Sequence, residues 1–345
     1  TDVSAAQGFG PLDVRSGGQT LVEMNRVMGA FTGPDGEYLA LVYMDGDLDA
    51  LKFGQMVIAT VVHPTLQEMT KRGTPFSGLL YVGLALTSRG TRVVEFNDLG
   101  GMEAALKHGD VAAILMEPAM TNVGIVLPED GYLYAVQDLA KKYGALLIID
   151  ETHTISVGPG GMTAQLGLQP DFLTIGKAIG GGFPTGAFGM SAEIAQEIKS
   201  QVELEVIDTG GVGGTLAANA LSLAAMRATL TKVLTEENFE KMIKLGTRWA
   251  DGVEKVIEKY KLPWSVNRLG ARAEYMFRAK SPTTGREAAD AGDFELEQYI
   301  HLRMLNDGFL ITPFHNMALI SPETTAADVD AHTLAFDKMC GELIG

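Results

Sequence analysis

The chain has 345 residues, enough for two domains of ordinary size, and 46% of them are hydrophobic against 20% charged, the balance of a globular protein with sizeable cores. Its net charge of −16 argues against nucleic acid and anionic membranes as partners, because phosphate backbones are bound by Lys and Arg, but leaves room for a small anionic ligand held in a local site. A single cysteine, Cys340, excludes an intramolecular disulfide framework and fits a reducing cytoplasm. Residues 1–18 are small and polar, without the basic-then-apolar order of a signal peptide. No apolar run approaches the roughly 20 residues of a membrane span, so the expectation is a soluble, cytoplasmic protein.

Residues 1–90 have Gly and Pro scattered through them, and their pattern defines no domain. From about residue 95 the order is clear. Val111–Met116 is a short apolar run that reads as a buried strand. Asp130–Tyr143 has helical spacing, with Leu133, Val136, Leu139 and Ala140 on one face, Lys141 and Lys142 near the end, and Gly144 as C-cap. Ala145–Asp150 (ALLIID) is a second buried strand, so the three segments predict a right-handed βαβ unit in a parallel sheet. Phe172–Ile175 and Ala187–Met190 are further short strands. Leu216–Leu230 is rich in Ala and Leu, and Glu236–Tyr260 is a long amphipathic helix with Thr235 as N-cap, the bridge into a second domain. Beyond it the pattern predicts strands near 271–278, 309–311 and 317–320 and helices near 295–306 and 326–343, a mixed α+β arrangement.

Three blocks can carry chemistry. In Asp150-Glu151-Thr152-His153-Thr154, Asp150 ends an apolar strand, where ligands bind in open parallel sheets. A carboxylate there can pair with a cationic ring nitrogen; a helix N-cap or a metal ligand would occupy the same place. In Thr174-Ile175-Gly176-Lys177-Ala178-Ile179-Gly180-Gly181-Gly182, a lysine lies between an apolar strand and a triple glycine. That setting suits a desolvated, nucleophilic amine approached closely by backbone, although a lysine in a surface loop can also follow a strand. In Gly210-Gly211-Val212-Gly213-Gly214-Thr215, glycines precede a helix and offer free N–H groups to a phosphate, with a flexible turn as the alternative.

The combination Glu117-Pro118…Gly124…Pro128, ALLIIDET (145–152), LGLQPDFLTIGKAIGGGFPTGAFG (166–189) and GGTLAANALSLAA (213–225) resembles class III aminotransferases. Within them it is most similar to the branch of glutamate-1-semialdehyde aminomutase and β-amino-acid aminotransferases. The resemblance covers residues 95–345 and is strongest over 111–230. It implies an α/β fold of the aspartate-aminotransferase type (fold type I), with a large, mainly parallel-sheet domain over 1–235 whose N-terminal segment is incomplete, and a smaller α+β domain over 236–345. It also implies pyridoxal 5'-phosphate as cofactor. Lys177 then matches the Schiff-base lysine, and Asp150 the partner of the pyridine nitrogen. Thr152 lies where a valine commonly packs on the ring, and His153 either meets the cofactor's 3-oxygen region or fills space. Thr215, beside Gly214, matches the threonine that reaches the phosphate across a homodimer interface. Glu117 and Asn219 match positions with structural or catalytic roles and with a structural role, respectively.

The start of the chain departs from the family. Ser16-Gly17-Gly18-Gln19-Thr20 stands for its phosphate cup, with Gly17 and Gly18 as binders, and Ala30–Gly33 follows at the family's usual distance. A rival alignment sets Asp35–Tyr38 on the family's early hairpin and 63–78 on the helix after it, which leaves no cup. No aromatic-His stacking pair appears in either. The expected activity is amino transfer between an amine or amino acid, β- or ω-amino included, and a keto acid or aldehyde, with no metal. An aminomutase or racemase using the same lysine, or a cofactor-free relative, are the alternatives. Arg268, Arg272 and Arg278 are candidates for a substrate carboxylate, and His315 and Asn316 for the substrate entrance.

Overall fold

The computed structural model describes residues 92–200, 217–312 and 315–345, together with the backbone of four strands before them: β1 (Arg15–Ser16), β2 (Gln19–Thr20), β3 (Arg26–Thr32) and β4 (Leu39–Asp45). The chain separates into two compact units, Thr1–Thr91 and Arg92–Gly345. In the first, β1 and β2 pair antiparallel with Ser16 facing Gln19, and β3 and β4 pair antiparallel with Thr32 facing Leu39. Gly17 and Gly18 lie outside the described residues; the residues flanking them are strand, whereas the family's phosphate cup opens a helix.

The second unit opens with α1 (Leu99–Leu106) and then builds a four-stranded sheet. β5 (Ala113–Met116), β6 (Leu146–Asp150) and β7 (Phe172–Gly176) are parallel, in that order, as expected from the buried apolar runs. Between β5 and β6 runs α2 (Tyr132–Tyr143), which ends where Gly144 turns left-handed at φ 69° and gives its N–H to the carbonyls of Ala140 and Lys141. A short helix, α3 (Gly161–Leu166), precedes β7. β8 (Gly186–Met190) runs antiparallel to β7, because the segment 177–185 is shorter than the roughly dozen residues a parallel crossover needs. Leu147 and Ile149 alternate into a core with Leu106, Ile114, Val136 and Ala140. Two further helices, α4 (Ala192–Ser200) and α5 (Ala220–Lys232), follow.

A second core forms around α6 (Glu236–Tyr260), whose bounds and cap match the sequence reading: the Thr235 hydroxyl accepts the Asn238 N–H. Its buried face, including Phe239, Met242, Trp249 and Val253, packs on a three-stranded antiparallel sheet and on the last helix. The sheet is β9 (Ser265–Leu269), β10 (Arg272–Met276) and β11 (Met317–Leu319), with β10 central. α7 (Gly285–Ala289), α8 (Phe294–Asn306) and α9 (Ala326–Ile344) complete the unit. β9 escapes a search for apolar alternation because its buried Asn267 is polar, satisfied by donating to the Ile125 carbonyl at 2.6 Å. The strand expected at 309–311 is absent: the Phe309 N–H closes the end of α8 on the Met304 carbonyl instead of joining a sheet. Among the described residues, no helix is long and apolar enough to cross a membrane.

His332 of α9 is buried against Trp249 and Phe336, with ring centroids 5.4 and 6.1 Å away, and its Nε2 accepts the Trp249 indole N–H. Burial holds its pKa down at about 4, so the folded state disfavours the imidazolium. The unfolded chain therefore binds more protons between pH about 6.5 and about 4, and stability is lost as pH falls through that window, by roughly 3 kcal/mol for this group. Urea titrations across that range should show His332→Phe with a flatter acid limb than the unsubstituted protein.

Candidate active site

The site grows from the carboxyl end of β6. Glu151, 1% exposed, turns inward immediately after the strand. Its Oε1 accepts the N–H of Thr163 at 2.6 Å and the Thr163 hydroxyl, and its Oε2 accepts the N–H of Met162 at 3.1 Å and the Thr154 hydroxyl. A buried carboxyl group needs such partners, and these four donors lash the start of α3 and the turn at Thr154 to the strand end. The packing requires glycine at 161, where φ is +64° and a Cβ would lie 2.0 Å from Glu151 Oε2. The chain between forms a 3-10 turn, Thr154–Val157, pinned from the other side by the β9–β10 hairpin. Ser156 donates its hydroxyl to the Leu269 carbonyl at 2.8 Å, and its own carbonyl accepts the Ala271 N–H at 2.9 Å. Gly270, at φ +64°, makes that approach sterically open, because a Cβ there would meet the Ser156 carbonyl at 2.3 Å.

This anchoring fixes Asp150, Thr152 and His153 on one short arc. Asp150 faces Thr174 across the β6–β7 ladder, and its Oδ1 accepts the Thr152 N–H at 2.8 Å. Oδ2 takes no hydrogen bond among the described residues. Thr152 Oγ1 would be 3.8 Å from a Cβ placed on Gly176, so its side chain lies beside the residue preceding Lys177. Lys177 leaves β7 in the left-handed region at φ 49°, which costs a non-glycine residue on the order of 1 kcal/mol and is typical of functional positions. Its Nζ lies 2.6 Å from His153 Nε2 and makes no ion pair among the described residues. Desolvation, and then the charges of Lys177 and Arg272, push the His153 pKa down to about 4, so the ring is neutral near pH 7.

The other nitrogen of His153, Nδ1, contacts the Thr121 hydroxyl, which donates in turn to Glu117 Oε2. Burial raises the Glu117 pKa, against the lowering effect of the Thr121 hydrogen bond. Thr121 itself is held by Arg272, whose Nη2 donates to its carbonyl at 2.7 Å. Thr121 and Glu274 were not singled out from the sequence, nor were their contacts with Arg272 and His315; nothing in the spacing between residues 121 and 272 announces a contact.

Lys177, Asp150, Thr152 and His153 thus come together, and Glu117 joins them. Thr215 and Gly214 lie outside the described residues. Asn219 has the structural role expected of it, capping α5 by accepting the Ser222 N–H at 2.9 Å. Among the described residues Lys177 is exposed, and so is the adjoining β8 from Gly186 to Gly189. The three arginines all have internal partners. Arg268 pairs with Asp251 and Glu254 and Arg278 with Glu287, while buried Arg272 pairs with Glu274 at 3.1 Å. His315 Nδ1 meets Glu274 Oε1 at 2.9 Å, and the Asn316 carbonyl accepts the Tyr275 N–H. No cluster of His, Cys, Asp and Glu among the described residues could hold a metal ion.

An amine on one strand end, an acid with an uncommitted oxygen on the next and a neutral histidine against the amine fit a pyridoxal-phosphate site of fold type I. The sequence model of class III aminotransferases matches residues 81–338, and the chain belongs to that family. A glutamate-1-semialdehyde 2,1-aminomutase of Staphylococcus carnosus is 34% identical over 256 residues, 73% of this chain and 58% of that protein. A solved glutamate-1-semialdehyde aminomutase from Pseudomonas aeruginosa superposes with a TM-score of 0.70 at 39% identity, covering 91% of this chain and 62% of that one. A β-phenylalanine aminotransferase from Variovorax paradoxus gives 0.64 at 27% identity, over 72% and 57%. The chain therefore spans about three fifths of the length of these relatives. Residues 29–101 also match the ATP-grasp (A) domain of phosphoribosylglycinamide synthetase.

Glu151→Ala would strand two backbone N–H groups and two hydroxyls in the interior. Chemical denaturation should show a loss on the order of 3 kcal/mol, far more than for a surface glutamate such as Glu129.

Proposed function

We propose that this protein binds pyridoxal 5'-phosphate through Lys177 and moves an amino group between an amine or amino acid and a keto acid or aldehyde. The observation that carries the reading is the Lys177 amine, set 2.6 Å from a neutral histidine at the strand end next to the one that Asp150 terminates. When bound, the cofactor supplies a carbonyl that takes up amines and a ring that withdraws electrons. Asp150, oriented by the Thr152 N–H, would face the ring nitrogen and keep its proton in place. Thr152 would line the ring beside Gly176. Lys177 would provide the amine that holds the cofactor and then carry the proton at the substrate carbon. His153, being neutral, stands against that amine as a hydrogen-bond acceptor rather than as a second cation. Gly17, Gly18, Gly214 and Thr215 are assigned to the phosphate.

The exposure of Lys177 and the family position of Thr215 support a two-fold homodimer in which each subunit covers the other's site. The two cores of the Arg92–Gly345 unit support a boundary near residue 235 within that unit, between the expected large cofactor domain and the small domain over 236–345. The lone, buried Cys340 supports a cytoplasmic location. A second reading, an aminomutase that returns the amino group to the same molecule, draws support from relatives of that name at 32–35% identity. Single half-reactions separate the two: a transaminase given donor alone releases a keto product, and an aminomutase does not.

Borohydride reduction of the cofactor-loaded protein should place the label on Lys177 in peptide mass spectrometry; a label on another lysine refutes the assignment. Lys177→Ala should lose the visible absorbance of the loaded protein and slow amino transfer on the order of a thousandfold.

A further inference from the structure

Lys177 does not end in a lone contact. From its Nζ a file of hydrogen-bonding atoms runs through His153 Nε2 at 2.6 Å, His153 Nδ1, the Thr121 hydroxyl and Glu117 Oε2. His153 Nδ1 and Glu117 Oε2 are 3.7 Å apart, so the hydroxyl bridges a gap the two groups do not close directly. The file crosses three separate segments: the end of β7, the turn after β6 and the loop after β5.

We propose that His153, Thr121 and Glu117 form a proton wire that exchanges a proton between the Lys177 amine and the Glu117 carboxyl group. His153 is the member that touches the reacting amine; Thr121 and Glu117 are positioning residues acting through it. The proposal rests on the reading of Lys177 as the reacting amine and adds the route by which that amine is charged and discharged.

The donor and acceptor pattern is consistent in one direction at a time. With Lys177 as ammonium, Nζ donates to Nε2, Nδ1–H donates to the Thr121 oxygen, and the Thr121 hydroxyl donates to the Glu117 carboxylate. Transfer moves three protons one step each. Nζ gives one to Nε2, Nδ1 gives one to Thr121, and Thr121 gives one to Glu117. The products are a neutral amine, the opposite tautomer of a still neutral imidazole, an intact hydroxyl and a protonated carboxyl group. No proton is created or lost, and imidazolium never forms. The surroundings support that course. His153 faces Lys177, Arg272, Asp150 and His315; burial and the charges of Lys177, Arg272 and His315 outweigh Asp150 and make imidazolium unfavourable near neutral pH. Glu117 faces Asp150, Arg272 and Lys177, and its burial makes it a better proton holder than an exposed carboxylate. Arg272, donating to the Thr121 carbonyl, fixes the middle of the wire.

The test reads the tautomer of His153 by long-range 15N NMR on the full chain in its cofactor-free form, with His153→Gln assigning the signals. Acylation rates of the Lys177 peptide across pH give the titration of Nζ in the same samples. In the unsubstituted protein and in Thr121→Ser, His153 should carry its proton on Nδ1 at the lower pH and move it to Nε2 with the Lys177 midpoint, without an imidazolium signal. In Thr121→Val the switch should be lost, one tautomer persisting across the Lys177 titration. Should the valine variant fail to fold, Glu117→Gln carries the same expectation, because a carboxamide cannot take up the proton. A tautomer that ignores the Lys177 titration in the unsubstituted protein, or that switches identically in the variant lacking the hydroxyl or carboxyl, overturns the wire. The measurement needs no bound cofactor, so its failure leaves the borohydride result standing, whereas a borohydride label on another lysine removes the reacting amine that the wire serves even where the tautomer switch is seen.

Discussion

The Glu151 carboxyl group is the constraint on which the described site depends. A carboxyl group 1% exposed is tolerable only with its oxygens occupied, and its four donors come from the turn after β6 and the start of α3. Satisfying them folds the chain back on itself within a dozen residues of the strand end. Asp150 is thereby left at the mouth of the sheet and His153 is swung toward the end of β7, where Lys177 stands in a left-handed backbone conformation. One buried polar group thus sets the spacing of three residues that carry chemistry.

The same turn joins the two cores. The β9–β10 hairpin belongs mainly to the core around α6, yet Leu269 and Met276 pack into the core of the parallel sheet. Hydrogen bonds from Ser156 to Leu269 and from Ala271 to Ser156, with the Asn267 bond to Ile125 and the Arg272 bond to Thr121, stitch that hairpin to the loops at the sheet's edge. Arg272 is consequently a strut, paired with Glu274, whose other oxygen meets His315 Nδ1, and its burial removes it from the list of free carboxylate binders.

Much was legible in the residue order where local rules decide the structure. The apolar runs before Met116 and Asp150, the face of α2 and the Thr235 cap of α6 each follow from spacing or from a single hydrogen bond between near neighbours. Asp150 was legible as an acid closing an apolar run and Lys177 as an amine between an apolar run and a triple glycine, both of them local patterns. The first ninety residues offered only two competing alignments, one on Gly17 and Gly18 and one on Asp35–Tyr38 with 63–78, and the class III match begins at residue 81 while another family's domain matches 29–101. β9 was missed because one of its inward residues is an asparagine, and 309–311 was misread because a helix end can consume the same N–H that a strand would pair.

By itself the sequence determined which short segments are strands and helices, which lysine and which aspartate stand at strand ends, and the family those motifs share, since each of these depends on residues within a few positions of one another. Tertiary structure alone decided that Thr121 and Glu117 meet His153 and that Arg272 is consumed internally. Those contacts join positions 32 to 151 residues apart. Such pairings are selected by how two cores close around buried polar groups, a balance that no local spacing encodes.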